Sequence, residues 1–290
     1  MEIFKQNIAY ECAPLRASSR ALAEGTLSPP PGMPPMARIL SIDGRAGGSG
    51  EAVEGKLMID GAVTLSVLYL CEEGKSHGFE SVALFKHAMD LSGAAAGMRV
   101  CVQCSVAELK HNLTPGGLEI RARILIDCSA YAHEELSAVS GAKAEGLEVL
   151  PVTVTIPSSE ILSDELELRD EARLPRVADR LLCTNGFCRG QNLSMEGSGC
   201  TVSGTLRISV LFAAPDGTIV QAPFSMPFET RMDLPESAES AYGSVRLLGL
   251  ECSLSGEDIV TVDARVELTI VAASTMECDL LADAYATGVQ

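Results

Sequence analysis

The sequence predicts an all-β protein made of two tandem antiparallel domains, each a β-sandwich or a partial barrel, related by internal duplication. Two observations lead to this prediction: the two halves of the chain match each other, and the matching segments alternate between apolar and polar residues. A length of 290 residues also suits two domains, because domains commonly contain about 100–200 residues.

The first observation is an internal repeat with an offset of 142–143 residues. Its blocks keep their order along the chain, and a period this long indicates a duplicated domain, since solenoid units run about 20–50 residues. The matching blocks are 38–40 with 180–182, 61–69 with 204–212, 85–91 with 228–234, and 122–123 with 264–265.

The second observation is a period of two within the matched blocks, which is typical of half-buried strands. Apolar residues occupy the odd positions of 57–69 and the even positions of 200–212, so the inward face is preserved across the duplication. Residues 118–126 and 260–268 alternate in the same way. One-sided alternation predicts antiparallel sheets with one solvated face.

Glycine and proline separate these strands, as turns require. The segments concerned are 29–32, 47–50, 115–117, 215–217 and 255–256.

Other segments predict further elements. Residues 44–50 are rich in glycine but lack a phosphate-binding spacing, and we expect a flexible loop between strands. Residues 134–146 predict a short helix or a linker. The second copy opens with a strand at 150–156, and the first copy has its counterpart near 7–15.

The chain carries a formal net charge of −17 with few aromatic residues, which argues against a partner of nucleic acid or membrane. The charge is uneven, because residues 1–145 hold 13 basic and 17 acidic side chains, whereas 146–290 hold 9 and 22. No basic start followed by an apolar run opens the chain, so we expect synthesis and first residence in the cytoplasm.

The sequence offers no catalytic residue, cofactor-binding motif or metal site. The pair Cys101 and Cys104 lies in an alternating stretch that would place the two thiols on opposite faces. Cys183 and Cys188 flank an expected turn at Gly186 and are a candidate intradomain thiol pair. The acidic run 164–171 alternates leucines with carboxylates, which favours a strand over a calcium site.

Most of the ten cysteines are expected to be small buried hydrophobic residues. The alternative is a chain that starts reduced and is cross-linked later in an oxidising environment.

The matched blocks resemble the SPOCS domain of SipL-type spore-coat morphogenetic proteins from endospore-forming Firmicutes. The second copy keeps the skeleton more loosely, with Phe212 in place of Tyr69. The resembling segments of the first copy are 34–44, 61–69, 85–91 with 97–98, and 118–126.

The resemblance implies a first SPOCS-like domain at 1–135, a linker at 136–148, a second SPOCS-like domain at 149–280 and a tail at 281–290. It also implies that the protein is not an enzyme and helps to build the spore envelope in the mother cell, with a final location in the spore coat or on the spore surface. Its partners would be copies of itself and other envelope proteins. Such proteins often end in a LysM module, and we expect none after residue 275.

Self-assembly has a physical route in this interpretation, because a terminal strand such as 3–10 could complete the sheet of a neighbouring subunit. Cys12 and Cys278 lie near the two termini and are the candidates for a disulfide between subunits. A second hypothesis is a binding module that holds a wall glycan or small ligand in a groove between the domains. An enzyme is the third hypothesis, with a site such as His87 and nearby carboxylates.

Overall fold

The computed structural model describes residues 1–11 and 14–286, and the described chain consists of strands, turns and loops. The strands are β1 (Glu2–Glu11), β2 (Leu15–Leu27), β3 (Arg38–Val53), β4 (Lys56–Leu70), β5 (Ser76–Asp90), β6 (Arg99–Thr114), β7 (Gly117–Tyr131), β8 (His133–Lys143), β9 (Leu147–Arg173), β10 (Arg180–Glu196), β11 (Gly199–Ala213), β12 (Ile219–Asp233), β13 (Ser240–Leu254) and β14 (Ile259–Ala286).

The same topology occurs twice. In the first half, sheet β2-β7-β6 faces sheet β3-β4-β5, and in the second half sheet β9-β14-β13 faces sheet β10-β11-β12. All strand pairs are antiparallel. The predicted all-β antiparallel class is confirmed, and the repeated topology agrees with a duplication.

The core follows the predicted alternation. In β4 the inward row from Leu57 to Tyr69 is buried, and in β11 the row from Cys200 to Phe212 is buried at the matching positions. The rows at 118–126 in β7 and 260–268 in β14 are buried as well. Removing these apolar side chains from water stabilises each pair of sheets.

The two domains differ in how tightly their sheets close. The first domain has one continuous cluster of buried side chains, whereas the core of the second is divided into two clusters. Strands β2 and β5 lie close together, but their counterparts β9 and β12 barely touch. The second sandwich is therefore open along one side.

The expected loop at 44–50 is wrong, because these residues continue β3 and pair with β4. Their glycines let β3 approach β6 closely: a Cβ on Gly50 would lie 2.8 Å from Cγ2 of Val102. Glycine in a strand often marks such an approach of neighbouring chains. The pattern was misinterpreted because glycine is common in loops as well.

The expected helix or linker at 134–146 is also wrong, because residues 133–143 form β8, which pairs with β1. The domain limits that the sequence suggested at 136, 149 and 281 fall inside β8, β9 and β14. Strands β7 and β8 together correspond to β14, and β1 and β2 together correspond to β9.

Each domain extends into a two-stranded antiparallel ribbon. The first ribbon consists of β1 and β8. The second ribbon consists of 147–158 of β9 and 274–286 of β14, beyond the point where β13 stops pairing with β14. The two ribbons contact each other.

A glycine lies under a phenylalanine ring at the same place in both domains. Gly61 faces Phe85 across β4 and β5, and Gly204 faces Phe228 across β11 and β12. A Cβ on Gly61 would lie 2.2 Å from the Phe85 ring, and one on Gly204 would lie 2.6 Å from the Phe228 ring. The absence of a side chain lets each ring cover its partner strand.

Gly61→Ala and Gly204→Ala should each lower the free energy of unfolding by about 1–3 kcal/mol, because the ring must move out of a packed core. Urea denaturation measures the effect. Gly47→Ala is the matched control, since nothing lies within 4 Å of a Cβ at Gly47. A loss at Gly47 equal to that at Gly61 would contradict this explanation.

Candidate functional site

A cleft of about 860 Å³ lies between the two domains. Strands β2, β3, β6 and β7 of the first domain line one side, and β9, β13 and β14 of the second line the other. Its volume is within the range of about 300–1,000 Å³ for small-molecule sites. The cleft therefore has the position of the inter-domain groove expected for a ligand-binding module.

Polar and apolar groups contribute about equally to the lining of the cleft. The lining includes serine and threonine hydroxyls from both domains, and among the described lining residues none is aromatic. Three guanidinium groups, those of Arg16, Arg99 and Arg246, share the cleft with the carboxylates of Asp127 and Glu267. The lining is thus slightly cationic in a strongly acidic chain.

Most of these charges have partners. Arg246 forms an ion pair with Glu267 at 2.8 Å, and Ser18 donates a hydrogen bond to Asp127. Arg99 donates a hydrogen bond across the cleft to the carbonyl oxygen of Ile161. Arg99 therefore ties β6 of the first domain to β9 of the second.

Another close contact between the domains lies outside the cleft, where β10 packs on the outer face of β4 and β5. A Cβ on Gly78 would lie 1.5 Å from the carbonyl oxygen of Leu182, so only glycine fits there. Arg180 Nε donates to the carbonyl oxygen of Ser76 at 3.1 Å. Leu182 is 4% exposed, whereas its counterpart Leu40 in the first copy is 40% exposed.

A second polar contact joins equivalent residues of the two copies. Asn185 Nδ2 donates to Asp43 Oδ2 at 2.8 Å, and the two positions differ by 142 in the sequence, which is the offset of the repeat. Corresponding segments of the duplicated domains therefore meet each other at this contact.

His77 lies beside this domain contact. Its ring stacks on Tyr69 with the ring centroids 5.7 Å apart, and the Tyr69 hydroxyl donates to the carbonyl oxygen of Pro34 at 2.7 Å. Burial lowers the pKa of His77 below its usual range, and the positive charges of Arg180 and Lys75 lower it further. The imidazole is thus held neutral next to a cationic contact.

The two thiols of the candidate intradomain pair, Cys183 and Cys188, do not meet. Gly186, expected to form a turn between them, lies within β10, so both cysteines lie on one extended strand about 16 Å apart. Both are free thiols. A disulfide needs Cα atoms less than about 7 Å apart, and the expected pairing is therefore corrected.

The structure describes one of the two candidates for a disulfide between subunits. Cys278 lies in the second ribbon and is 1% exposed. Cys12 lies outside the described residues. Their pairing stays a prediction.

Several of the described thiols are poorly activated. Burial is the main cause that raises the pKa of Cys128 to about 11 and that of Cys252 to about 12, and burial also raises the pKa of Cys104. Because the thiolate is the nucleophile and the metal ligand, such thiols react slowly near neutral pH.

The Cys101 and Cys104 motif lies in β6, as the alternation predicted. Within residues 1–11 and 14–286, no group of three or more His, Cys, Asp or Glu side chains is arranged to hold a metal ion. The same part of the chain has no helix with the length and apolar character needed to cross a membrane.

The residues that join the domains were not identified from the sequence. Gly78, Leu182 and Arg99 have no motif around them, and their roles depend on contacts between distant strands. One sequence difference could have pointed to this contact: position 78 of the first copy is glycine, whereas the equivalent position 221 of the second copy is glutamine.

Comparison with known families gives one match, and it covers β3 to β6 of the first domain. Residues 35–114 match the SipL, SPOCS domain model. No curated protein and no solved structure matches the chain significantly. The match supports the SPOCS resemblance and a role related to sporulation, and the SPOCS family is not a known enzyme family.

Gly78→Ala should separate the two domains at the β5–β10 contact, because the new methyl group would overlap the backbone of Leu182. We expect a larger radius of gyration in small-angle X-ray scattering and a loss of about 1–3 kcal/mol in unfolding free energy. Gly25→Ala on β2 is the control, since nothing lies within 4 Å of its Cβ position. Unchanged scattering and stability in Gly78→Ala would contradict the contact.

Stability should fall as the pH drops below about 6.5, the ordinary pKa of histidine. The folded pKa of His77 lies below that of the unfolded chain, so the unfolded state binds more protons as the pH falls through this window. His77→Phe keeps a ring against Tyr69 and should flatten the dependence of melting temperature on pH between 7.5 and 5. His111→Gln, at an exposed position on β6, should leave the slope unchanged, and an equal effect of both variants would refute the assignment.

Proposed function

We propose that this protein is a non-enzymatic structural component of the bacterial endospore envelope that acts through contacts with copies of itself and with other envelope proteins. The match of 35–114 to the SPOCS domain supports the sporulation role. The protein is made in the mother cell and ends in the spore coat or on the spore surface. The structural feature that carries the proposal is the pair of ribbons.

Both ribbons have strand edges that pair with no other strand in the described chain. An unpaired edge offers a row of backbone donors and acceptors to another chain. In β1, the strand expected to complete a neighbouring sheet, one edge pairs with β8 and the other pairs with no strand among the described residues. Strand addition therefore requires no unfolding of β1.

The ribbons also expose large apolar side chains. These are Ile3, Phe4 and Leu136 in the first ribbon and Val149, Leu150, Val152 and Tyr285 in the second. Exposed apolar residues grouped on one part of a surface are typical of protein contacts. Within the chain the two ribbons already contact each other, and ribbons of neighbouring subunits would associate in a similar way.

A disulfide between Cys12 and Cys278 of neighbouring subunits would stabilise such an assembly after the mother cell lyses and the surroundings become oxidising. Cys278 is buried opposite Val154, so bond formation requires local opening of the second ribbon. The disulfide would follow assembly rather than start it.

Electron microscopy of the purified chain, with and without reductant, tests the proposal, and we expect ordered assemblies that reductant weakens. Ile3→Lys combined with Leu150→Lys should shift the chain to monomer in size-exclusion chromatography with light scattering. Phe187→Lys with Tyr242→Lys, at two exposed aromatic positions outside the ribbons, is the control. A monodisperse native monomer under both redox conditions would overturn self-assembly.

The alternative function is recognition of a cell-wall glycan or small ligand in the cleft between the domains. The volume of the cleft and the hydroxyl and charged groups in its lining favour it. Retention of the native chain on spore peptidoglycan, lost in a Ser163→Trp variant that fills the cleft, would support this function. Equal retention of both would count against it.

A further inference from the structure

In both domains the outer edge of one sheet, β2 in the first and β9 in the second, pairs with no other described strand, but the edge in the second domain is less covered by the facing sheet than its counterpart in the first. Strand β9 pairs with β14 along one side, and between Leu162 and Ala172 its other side pairs with no strand in the described ranges. In the first domain the equivalent side of β2 lies close to β5, and Ser19 Oγ is hydrogen bonded to His87 Nε2 at 2.8 Å. The residues equivalent to Ser19 and His87 are Asp164 and Thr230.

Side-chain size accounts for the difference. The inward residues of β2 at this point are Ala21 and Ala23, both buried, and small enough for β5 to approach. Their equivalents in β9 are Leu166 and Leu168, which hold the sheets apart and stay half-buried. The opening therefore combines a free strand edge with two leucines that remain partly in contact with water.

The free edge carries carboxylates that occupy its backbone donors. Asp164 Oδ1 accepts a hydrogen bond from the backbone N–H of Glu165, and Asp170 Oδ1 accepts one from the N–H of Glu171, both at 2.8 Å. Arg99 donates a hydrogen bond to the carbonyl oxygen of Ile161, and the contact between the two domains ends at this point of β9. Charged side chains at an open edge disfavour pairing with unsuitable strands.

The charges along β9 also determine which kind of strand can pair with its open edge. Residues 164–171 contain five carboxylates and one arginine, and the second half of the chain has no lysine. Pairing of β9 with β9 of another copy would place like charges opposite each other, which is destabilising. A strand with lysine or arginine at alternate positions would pair with the carboxylates, and its apolar positions would cover Leu166 and Leu168.

We propose that the open edge of β9 between Leu162 and Ala172 binds an extended basic segment of a partner protein, which adds as a further strand to sheet β9-β14-β13. Main-chain hydrogen bonds hold the added strand, whose carbonyl groups replace the Asp164 and Asp170 carboxylates at the N–H groups of Glu165 and Glu171. Glu165 and Glu167, on the face opposite Leu166 and Leu168, select its charge. This inference deepens the proposed scaffold function by naming a class of partner, and it rests on that function for its biological role.

The test uses the full chain and a blocked ten-residue peptide of alternating lysine and valine. Two control peptides are needed: one with proline in place of every second valine, which keeps the charge but removes backbone donors, and one of alternating glutamate and valine. Fluorescence anisotropy should show binding of the lysine–valine peptide, at least tenfold weaker binding of the proline peptide, and none of the glutamate peptide. Hydrogen exchange should show new protection at 162–172 and not at 17–27 of β2.

A charge-reversal variant makes the test specific. Glu165→Lys with Glu167→Lys, at exposed positions on the face opposite the leucines, should lower affinity for the lysine–valine peptide at least tenfold and allow binding of the glutamate–valine peptide. Glu51→Lys with Glu119→Lys changes the net charge equally at exposed positions of the first domain and should keep the preference for lysine. Circular dichroism checks that both variants fold.

Equal binding of the proline peptide, equal effects of the two charge reversals, or protection outside β9 would overturn the inference. A second variant, Leu166→Ala and Leu168→Ala with Asp164→Ser and Thr230→His, reproduces the two alanines and the Ser19–His87 contact of the first domain and should weaken peptide binding by closing the side of the sandwich. Peptide binding by a chain that stays monomeric in electron microscopy would uphold the inference while self-assembly fails. Assembly of the chain without peptide binding would uphold self-assembly and overturn the inference about β9.

Discussion

Each three-stranded sheet of this protein has one apolar face that only the facing sheet covers, and the rest of the structure depends on this requirement. The inward rows of β4 and β7, and of β11 and β14, are buried at matching positions in the two domains. A side chain on an inward row cannot become polar without cost. The outer faces and strand edges carry no such requirement, and the copies differ there in charge, in residue size and in the contacts that they make.

The difference between the domains illustrates how small changes at a sandwich edge alter what a fold can do. The second copy has leucines at the positions of Ala21 and Ala23 and keeps the alternation and the topology, and its core consists of two clusters. The first domain is closed at that side and meets its neighbour through an outer face, at Gly78 and Leu182. The second presents an acidic edge instead. A duplicated fold thus provides two different surfaces from one arrangement of strands.

The strand faces were predictable from the sequence because the side-chain period of a strand is local: Leu57 to Tyr69 alternate in the sequence as they do in the core. The glycines at 44–50 and the segment 134–146 were misassigned, because their strand pairing depends on β4, β6 and β1, which are distant in sequence or give no local signal. For the same reason the contact of Gly78 with Leu182 and the cleft could not be located. The SPOCS resemblance could be recognised because it rests on spacing, whereas the features of the candidate site depend on tertiary contacts.

The far ends of the two ribbons bring together the first strand residue Glu2, the link at 144–146 and the last described residue Ala286. Glu2 is opposite Lys143, and Leu147 is opposite Ala286, so Ala144 to Gly146 link the far ends of the two ribbons. Adding the widths of the two ribbons to this short link puts Glu2 and Ala286 within about 25 Å of each other. Chains whose ends are close tolerate circular permutation. A permuted chain opened between residues 143 and 147 and joined by a short linker between its former ends would keep every strand, and the two domains would exchange their order in synthesis.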